Sequence, residues 1–165
     1  MKKISALIVL LLGSGVIFAQ TKVNSYLFGV MEARALGSAT MSGRITAIEG
    51  VVSDEGKTLY IGTAGGGVWK STSAGASSKP VFDKYCQSIG ALAIDQKNPQ
   101  VIYVGTGESN MRNSVSIGDG MYKSTDGGDN WKKIGLDSTE HISKIVINPL
   151  NSNEIYVAEI GRAHV

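Results

Sequence analysis

The sequence predicts an all-β fold built from propeller blades, and three observations carry that prediction. Apolar runs at 45–52, 89–95 and 142–148 are each followed by a second run with a tyrosine in the same place, Tyr60, Tyr103 and Tyr156. These tyrosines recur 43 and 53 residues apart, close to the roughly 40 to 50 residues of a four-stranded blade. Glycine accounts for 21 of the 165 residues and proline for only 3, which suits short strands joined by tight turns. The expected architecture is a β-propeller fragment: two complete four-stranded blades, half of a third, and an N-terminal strand of the ring-closing kind.

Taken in order, Met1-Lys2-Lys3, the apolar stretch 4–18 and Ala19-Gln20 read as a secretory signal peptide cleaved near Ala19. Residues 1–19 are therefore assigned to export and the remainder to a secreted or periplasmic protein. A membrane anchor needs about 20 apolar residues, and this stretch is shorter and broken by Gly13, Ser14 and Gly15. No membrane association is expected after cleavage. Residues 20–158 form the partial propeller. Within it, 31–37 resembles 131–135 and stands at the same distance before a first strand. It is read as an outer strand that completes the last blade and removes a sheet edge. The first blade has strands at 45–52, 59–63 and 68–72. The second has them at 89–94, 101–106, 120–124 and 130–134, with turns at 95–99 and 126–129 whose Asp, Asn and Gly residues supply caps and positive φ. The first two strands of a blade are apolar on both faces, as befits a sheet between two other sheets. Residues 159–165 break the third repeat after its second strand. They back-translate, codon by codon and with a stop, into a common sequencing adapter, and are expected to be an artefact.

Charge excludes one class of partner. The 16 basic and 14 acidic residues are interspersed, leaving a net charge of +2 and no basic stripe to track a phosphate backbone, so nucleic acid is not expected. No cofactor and no metal site is expected either. The single cysteine, Cys86, has no intramolecular disulfide partner and reads as a small packed residue.

Two features stand out locally. Ser124, Asp126, Gly128 and Trp131 fit S-x-D-x-G-x-x-W, in which the aspartate accepts backbone N–H groups, glycine supplies positive φ and the tryptophan starts the outer strand. The role is structural. The first copy, at 71–78, has lost both Asp and Trp and is expected to form a looser turn. The second feature is length: the connection between second and third strands is ten residues longer in the second blade, at 107–120, than in the first. An elaborated loop on one face of a repeat is where binding usually resides. Glu108, Asn110, Arg112 and Asn113 are its candidate binding residues, joined by Arg44 and His141 from the loops that lead into first strands. A solvated loop packed on the next blade is the structural alternative.

The phrases at 42–45, 65–72, 88–94, 104–108 and 122–128 resemble exported bacterial proteins with WD40/YVTN/BNR-like (Asp-box) repeats, grouped with the sortilin (VPS10) N-terminal propeller and the xyloglucanase-type glycoside hydrolases. The resemblance covers nearly all of 31–158 and implies a propeller. It implies two functions. One is a binding or scaffold module for a protein, peptide or glycan, working through the face that carries 107–120. The other is polysaccharide hydrolysis by paired carboxylates, with catalytic acids in further blades. Xyloglucanase-type enzymes carry a catalytic aspartate in a T-D-x-G-G phrase, whereas Thr63-Ala64-Gly65-Gly66-Gly67 places alanine there. A sialidase-like site needs an arginine cluster and a Tyr/Glu pair, and Arg44 alone does not make one. No catalytic residue is therefore assigned, and the binding module is the favoured reading.

Overall fold

The structure, a computed structural model, describes residues 44–53, 56–110 and 113–161. The signal peptide, the strand at 31–37, Arg112 and residues 162–165 lie outside the described residues. Among the described residues ten strands form three antiparallel sheets: β1 (Ile45–Ser53), β2 (Gly56–Thr63), β3 (Val68–Ser71) and β4 (Lys79–Pro80); β5 (Ile89–Ile94), β6 (Ile102–Thr106), β7 (Met121–Ser124) and β8 (Lys132–Gly135); and β9 (Thr139–Ile147) with β10 (Ile155–Gly161). Each sheet is a simple meander, with order β1-β2-β3-β4 and β5-β6-β7-β8. The described residues thus make two four-stranded blades and the first half of a third.

The middle blade shows why its inner strands are apolar throughout. Ile89, Leu92, Ile94, Ile102 and Val104 pack with Tyr60, Val68 and Phe82 of the first blade and its connection. Ala91, Ala93 and Tyr103 face Ile142 and Ile145 of the third. Both faces are covered, so period-two alternation disappears from the sequence. Ala91 and Ala93 leave room on the second face for Tyr103 and for the isoleucines of β9. Where the second face meets β9, Gly105 has no room for a side chain: a Cβ there would lie 2.3 Å from Ile142 Cγ2. Gly62 holds the equivalent place in β2, and its Cβ would lie 2.7 Å from Ile89 Cγ2. Successive blades therefore seat the isoleucine of a first strand on the glycine of the preceding second strand. The third repeat has Ala158 at this place.

The repeated tyrosines and lysines form one unit. Tyr60 pairs with Lys70 and Tyr103 with Lys123 across the second and third strands. Their ammonium groups sit 5.6 and 5.1 Å from the respective ring centroids, within cation–π range. Tyr60 Oη and Lys70 Nζ both donate to the Gly127 carbonyl, at 2.8 and 2.7 Å, so the first blade grips the outer turn of the second. Burial, with the Asp129 charge adding to it, pushes the Tyr60 phenol up to about 12, and it stays a donor at neutral pH.

The two outer turns share a frame. In the second blade Ser124 Oγ accepts the Gly128 N–H at 2.8 Å, and Asp126 Oδ1 accepts the Asn130 N–H at 2.9 Å. In the first, Ser71 Oγ accepts the Gly75 N–H at 2.9 Å and Ser73 Oγ accepts the Ser77 N–H at 2.9 Å. The first turn keeps this hydrogen-bond frame without its aspartate: Ser73 takes the place of Asp126, because a hydroxyl oxygen accepts as a carboxylate does. What the first copy loses is its outer strand, only Lys79–Pro80, and conformational ease, since Ala74 adopts φ +54° where Gly127 has +70°.

Candidate functional site

The loop at 107–120 is closed by a latch that the first blade also has. Thr106 Oγ1 donates to the Gly120 carbonyl at 2.6 Å and accepts the N–H groups of Asp119 and Gly120 at 2.8 and 3.0 Å. Thr63 Oγ1 likewise donates to the Gly67 carbonyl at 3.0 Å and accepts the Gly66 N–H at 2.8 Å. The ten extra residues are thus an insertion between Thr106 and Asp119 that leaves the strand ends unchanged.

Its base is tied to the strands around it. The N–H groups of Gly107 and Gly118 donate to the carbonyls of Ser88 and Glu140 at 2.8 and 2.7 Å, and the Ile142 N–H donates to the Gly107 carbonyl at 3.2 Å. Gly107 has φ +82°, and a Cβ would lie 1.8 Å from the Glu140 carbonyl oxygen, so only glycine fits. Ser88 Oγ accepts the Glu108 N–H at 3.1 Å and donates to the Ser116 carbonyl at 2.9 Å. These contacts fix the direction in which Glu108 leaves the strand.

Glu108 is 2% exposed, and a buried carboxylate requires a compensating charge. Arg44, directly before β1, supplies it: Nη2 donates to Glu108 Oε1, joining the first blade to the second across 64 residues. Glu108, Ser109, Asn110, Asn113 and Val115 line one side of a cavity of about 490 Å³, with His141 also in its wall; Ile160, which closes it, belongs to the segment 159–165 read above as an adapter artefact. His141 is not on a loop as expected. It lies in β9, paired with Ile160, because the Thr139-Glu140-His141 segment, polar in sequence, is drawn into the sheet by β10. Its Nδ1, like Arg44 Nε, is buried without a hydrogen-bond partner. The structure therefore brings Arg44, Glu108, Asn110, Asn113 and His141 into one region, with Arg44, the more exposed member of its ion pair, outside the described cavity lining.

Ser124, Asp126, Gly128 and Trp131 lie at the other end of the blade. Gly127 N–H donates to the Gln100 carbonyl of the β5–β6 turn at 2.9 Å, whereas the cavity sits where β6 ends and β7 begins. Trp131 Nε1 donates to the carbonyls of Val81 and Gly128 at 2.8 and 3.0 Å. The Asn130 backbone N–H, its side-chain amide and Ser124 Oγ hold the Asp126 carboxyl down at about 2. The hydrogen bonds from Ser124 and Asn130 commit both of its oxygens to the turn. Ser88 and Thr106 were not singled out from sequence. For Thr106 the signal was present in the shared Gly-Thr that ends both second strands.

Comparison with known proteins now bears on this geometry. Among solved structures, an ancestral GH74 enzyme superposes with a TM-score of 0.55 at 19% identity, over 73% of this chain and 17% of that one. The fold is that of part of a β-propeller. The GH74 enzyme of Niastella koreensis (26% identity, TM-score 0.48, 62% of this chain and 15% of that) and the GH74 xyloglucanase of Xanthomonas campestris (21%, 0.47, 80% and 20%) are also similar. The chain spans a fifth or less of the length of these enzymes. No protein-family model and no curated protein matches it.

Proposed function

We propose that this chain is part of an exported, carbohydrate-binding β-propeller, and that the cavity between loop 107–120 and β9 is its saccharide site. The observation that carries the reading is the insertion itself: ten residues added inside an unchanged latch deliver Glu108, Ser109, Asn110 and Asn113 to a cavity that His141 also lines. Carboxylate, amides, hydroxyl and imidazole together match the donors and acceptors of a sugar ring. The likeness of fold to GH74 enzymes supports saccharide over protein or peptide as ligand. The turn at 124–131 supports a place among Asp-box (BNR) propellers of the sortilin and xyloglucanase kind.

Hydrolysis of the bound polysaccharide is the second reading, favoured by the same likeness. It needs two carboxylates flanking the scissile bond. Among the described residues the cavity lining supplies one, Glu108, already paired with Arg44, and Ala64 supplies none. Affinity electrophoresis of the full chain through gels containing xyloglucan, mixed-linkage β-glucan or galactan tests the binding reading. Retardation by at least one polymer, weakened about tenfold in Asn113→Ala and His141→Ala, is the expected result. Migration unaffected by all of them removes the saccharide reading. Release of reducing ends from a bound polymer, abolished in Glu108→Gln, would make the protein a hydrolase.

A further inference from the structure

We infer that Tyr103 and Lys123 form a clamp for the backbone carbonyl of a glycine turn, and that its occupant is a β-hairpin of the β7–β8 kind laid along β10. The inference is independent of the saccharide reading. It starts from a unit that occurs twice and meets its acceptor once. In the first blade Lys70 Nζ stands 5.6 Å from the Tyr60 ring centroid, and both side chains converge on the Gly127 carbonyl, at 2.7 and 2.8 Å. In the second blade Lys123 Nζ stands 5.1 Å from the Tyr103 ring centroid, on strands paired in the same register. Among the described residues neither Tyr103 Oη nor Lys123 Nζ has an acceptor. Two donors aimed at one point suit an oxygen with two lone pairs, as a backbone carbonyl has. The third repeat supplies the rest of the seat. The Gly127 N–H donates to the Gln100 carbonyl at 2.9 Å, beside a turn in which the Val101 N–H donates to the Asn98 carbonyl and the Gln100 N–H to Asn98 Oδ1. The β9–β10 turn repeats that frame, with the Glu154 N–H donating to the Asn151 carbonyl and the Asn153 N–H to Asn151 Oδ1. Asn153 therefore holds the place of Gln100. Residues 121–124 pair with 102–105, and the same register sets an added strand against residues 155–158, ahead of the segment 159–165. Strand addition of this kind draws its affinity from main-chain hydrogen bonds, and the clamp fixes where the added turn comes to rest. Close approach sets the chemistry of that turn. At Gly127, with φ +70°, a Cβ would lie 3.2 Å from Lys70 Nζ, so the residue that offers the carbonyl is glycine.

The test adds a fluorophore-labelled synthetic peptide of residues 120–135 to the full chain and follows its anisotropy. Saturable one-to-one binding is expected, weakened at least tenfold in Tyr103→Phe/Lys123→Met. Tyr60→Phe/Lys70→Met, whose acceptor lies within the chain, should bind the peptide within about twofold of the wild type. Absence of saturable binding by the wild type overturns the inference. Equal binding by Tyr103→Phe/Lys123→Met also overturns it, leaving pairing along β10 as the whole interaction. An equal loss in both double variants does the same, tracing the effect to loosened blades and not to the clamp. Should Tyr103→Phe/Lys123→Met fail to fold, judged by circular dichroism, Tyr103→Phe alone decides: a loss of about threefold supports the clamp and an unchanged affinity refutes it.

Discussion

Substituting Gly105 by alanine adds one methyl group to a strand whose backbone is extended, so any cost arises from space and not from φ. The new Cβ would stand 2.3 Å from Ile142 Cγ2, 2.7 Å from its Cβ and 3.3 Å from its Cδ1. Carbon atoms pack at about 3.5 to 4.0 Å, so Ile142 or its strand must retreat by more than an ångström. Ile142 is completely buried and lies at the centre of the interface between the second blade and β9. Overpacking of this kind costs about 1–3 kcal/mol, and full expulsion of the isoleucine would forfeit a comparable amount of burial. We expect about 2 kcal/mol. With a urea slope of about 1.5 kcal/mol per molar, that lowers the denaturation midpoint by about 1.3 M. The contact predicts a second, sharper result. In an Ile142→Ala background, itself about 2–5 kcal/mol less stable, the Gly105→Ala change should cost clearly less than in the wild type, because Cγ2 and Cδ1 are gone and only the contact with Cβ at 2.7 Å remains to be relieved. Additive effects of the two changes would show that the glycine is not there to admit Ile142.

Two further outcomes are expected. Because the folded Asp126 carboxyl titrates near 2 against an ordinary 3.8, its contribution to stability is present above the ordinary value and is lost as pH falls from about 4 to about 2. Asp126→Asn should remove that part of the pH dependence, measured as urea midpoints at pH 5, 4, 3 and 2.5, and an unchanged profile would disconnect the carboxylate from the turn. Ala74→Gly should raise stability by about 1 kcal/mol, since a left-handed alanine costs about 1–2 kcal/mol and the glycine recovers most of it after its own entropic penalty. A destabilised variant would mean that the Ala74 methyl contributes packing beyond the turn.

What could be read from the sequence followed from repetition. Tyr60, Tyr103 and Tyr156 fixed the phase of the blades, and the second and third strands end within a residue of the expected place because their borders are marked by Gly-Thr and Ser-Thr, whereas β2 starts three residues early, at Gly56. Strand β4 was faint, since its turn had lost the tryptophan that marks the start of β8. The entry to β9 was misjudged because Thr139, Glu140 and His141 carry no alternation and join the sheet only by pairing with β10. At the site, loop length pointed to the right region. The Arg44–Glu108 pair left no trace in the sequence, for two residues 64 apart announce nothing until the blades stack. The seating of isoleucine on glycine was equally silent, because it depends on which face of one sheet meets which strand of the next.

The threonine latch has a consequence for how such a protein diversifies. Thr63 closes a short span and Thr106 a long one, with the same oxygen and the same glycine carbonyl. Whatever lies between the latch points is therefore released from the constraint of holding its strands together, and its length and wording are free to drift under selection for a ligand alone. Each blade then offers a socket of standard width. Recognition can be rewritten at the tip of the second socket, while Gly107, Glu108 and Gly118 at its base stay bound to the neighbouring blades, so a loop transplanted to Thr63–Gly66 carries its tip with it and leaves those base contacts behind.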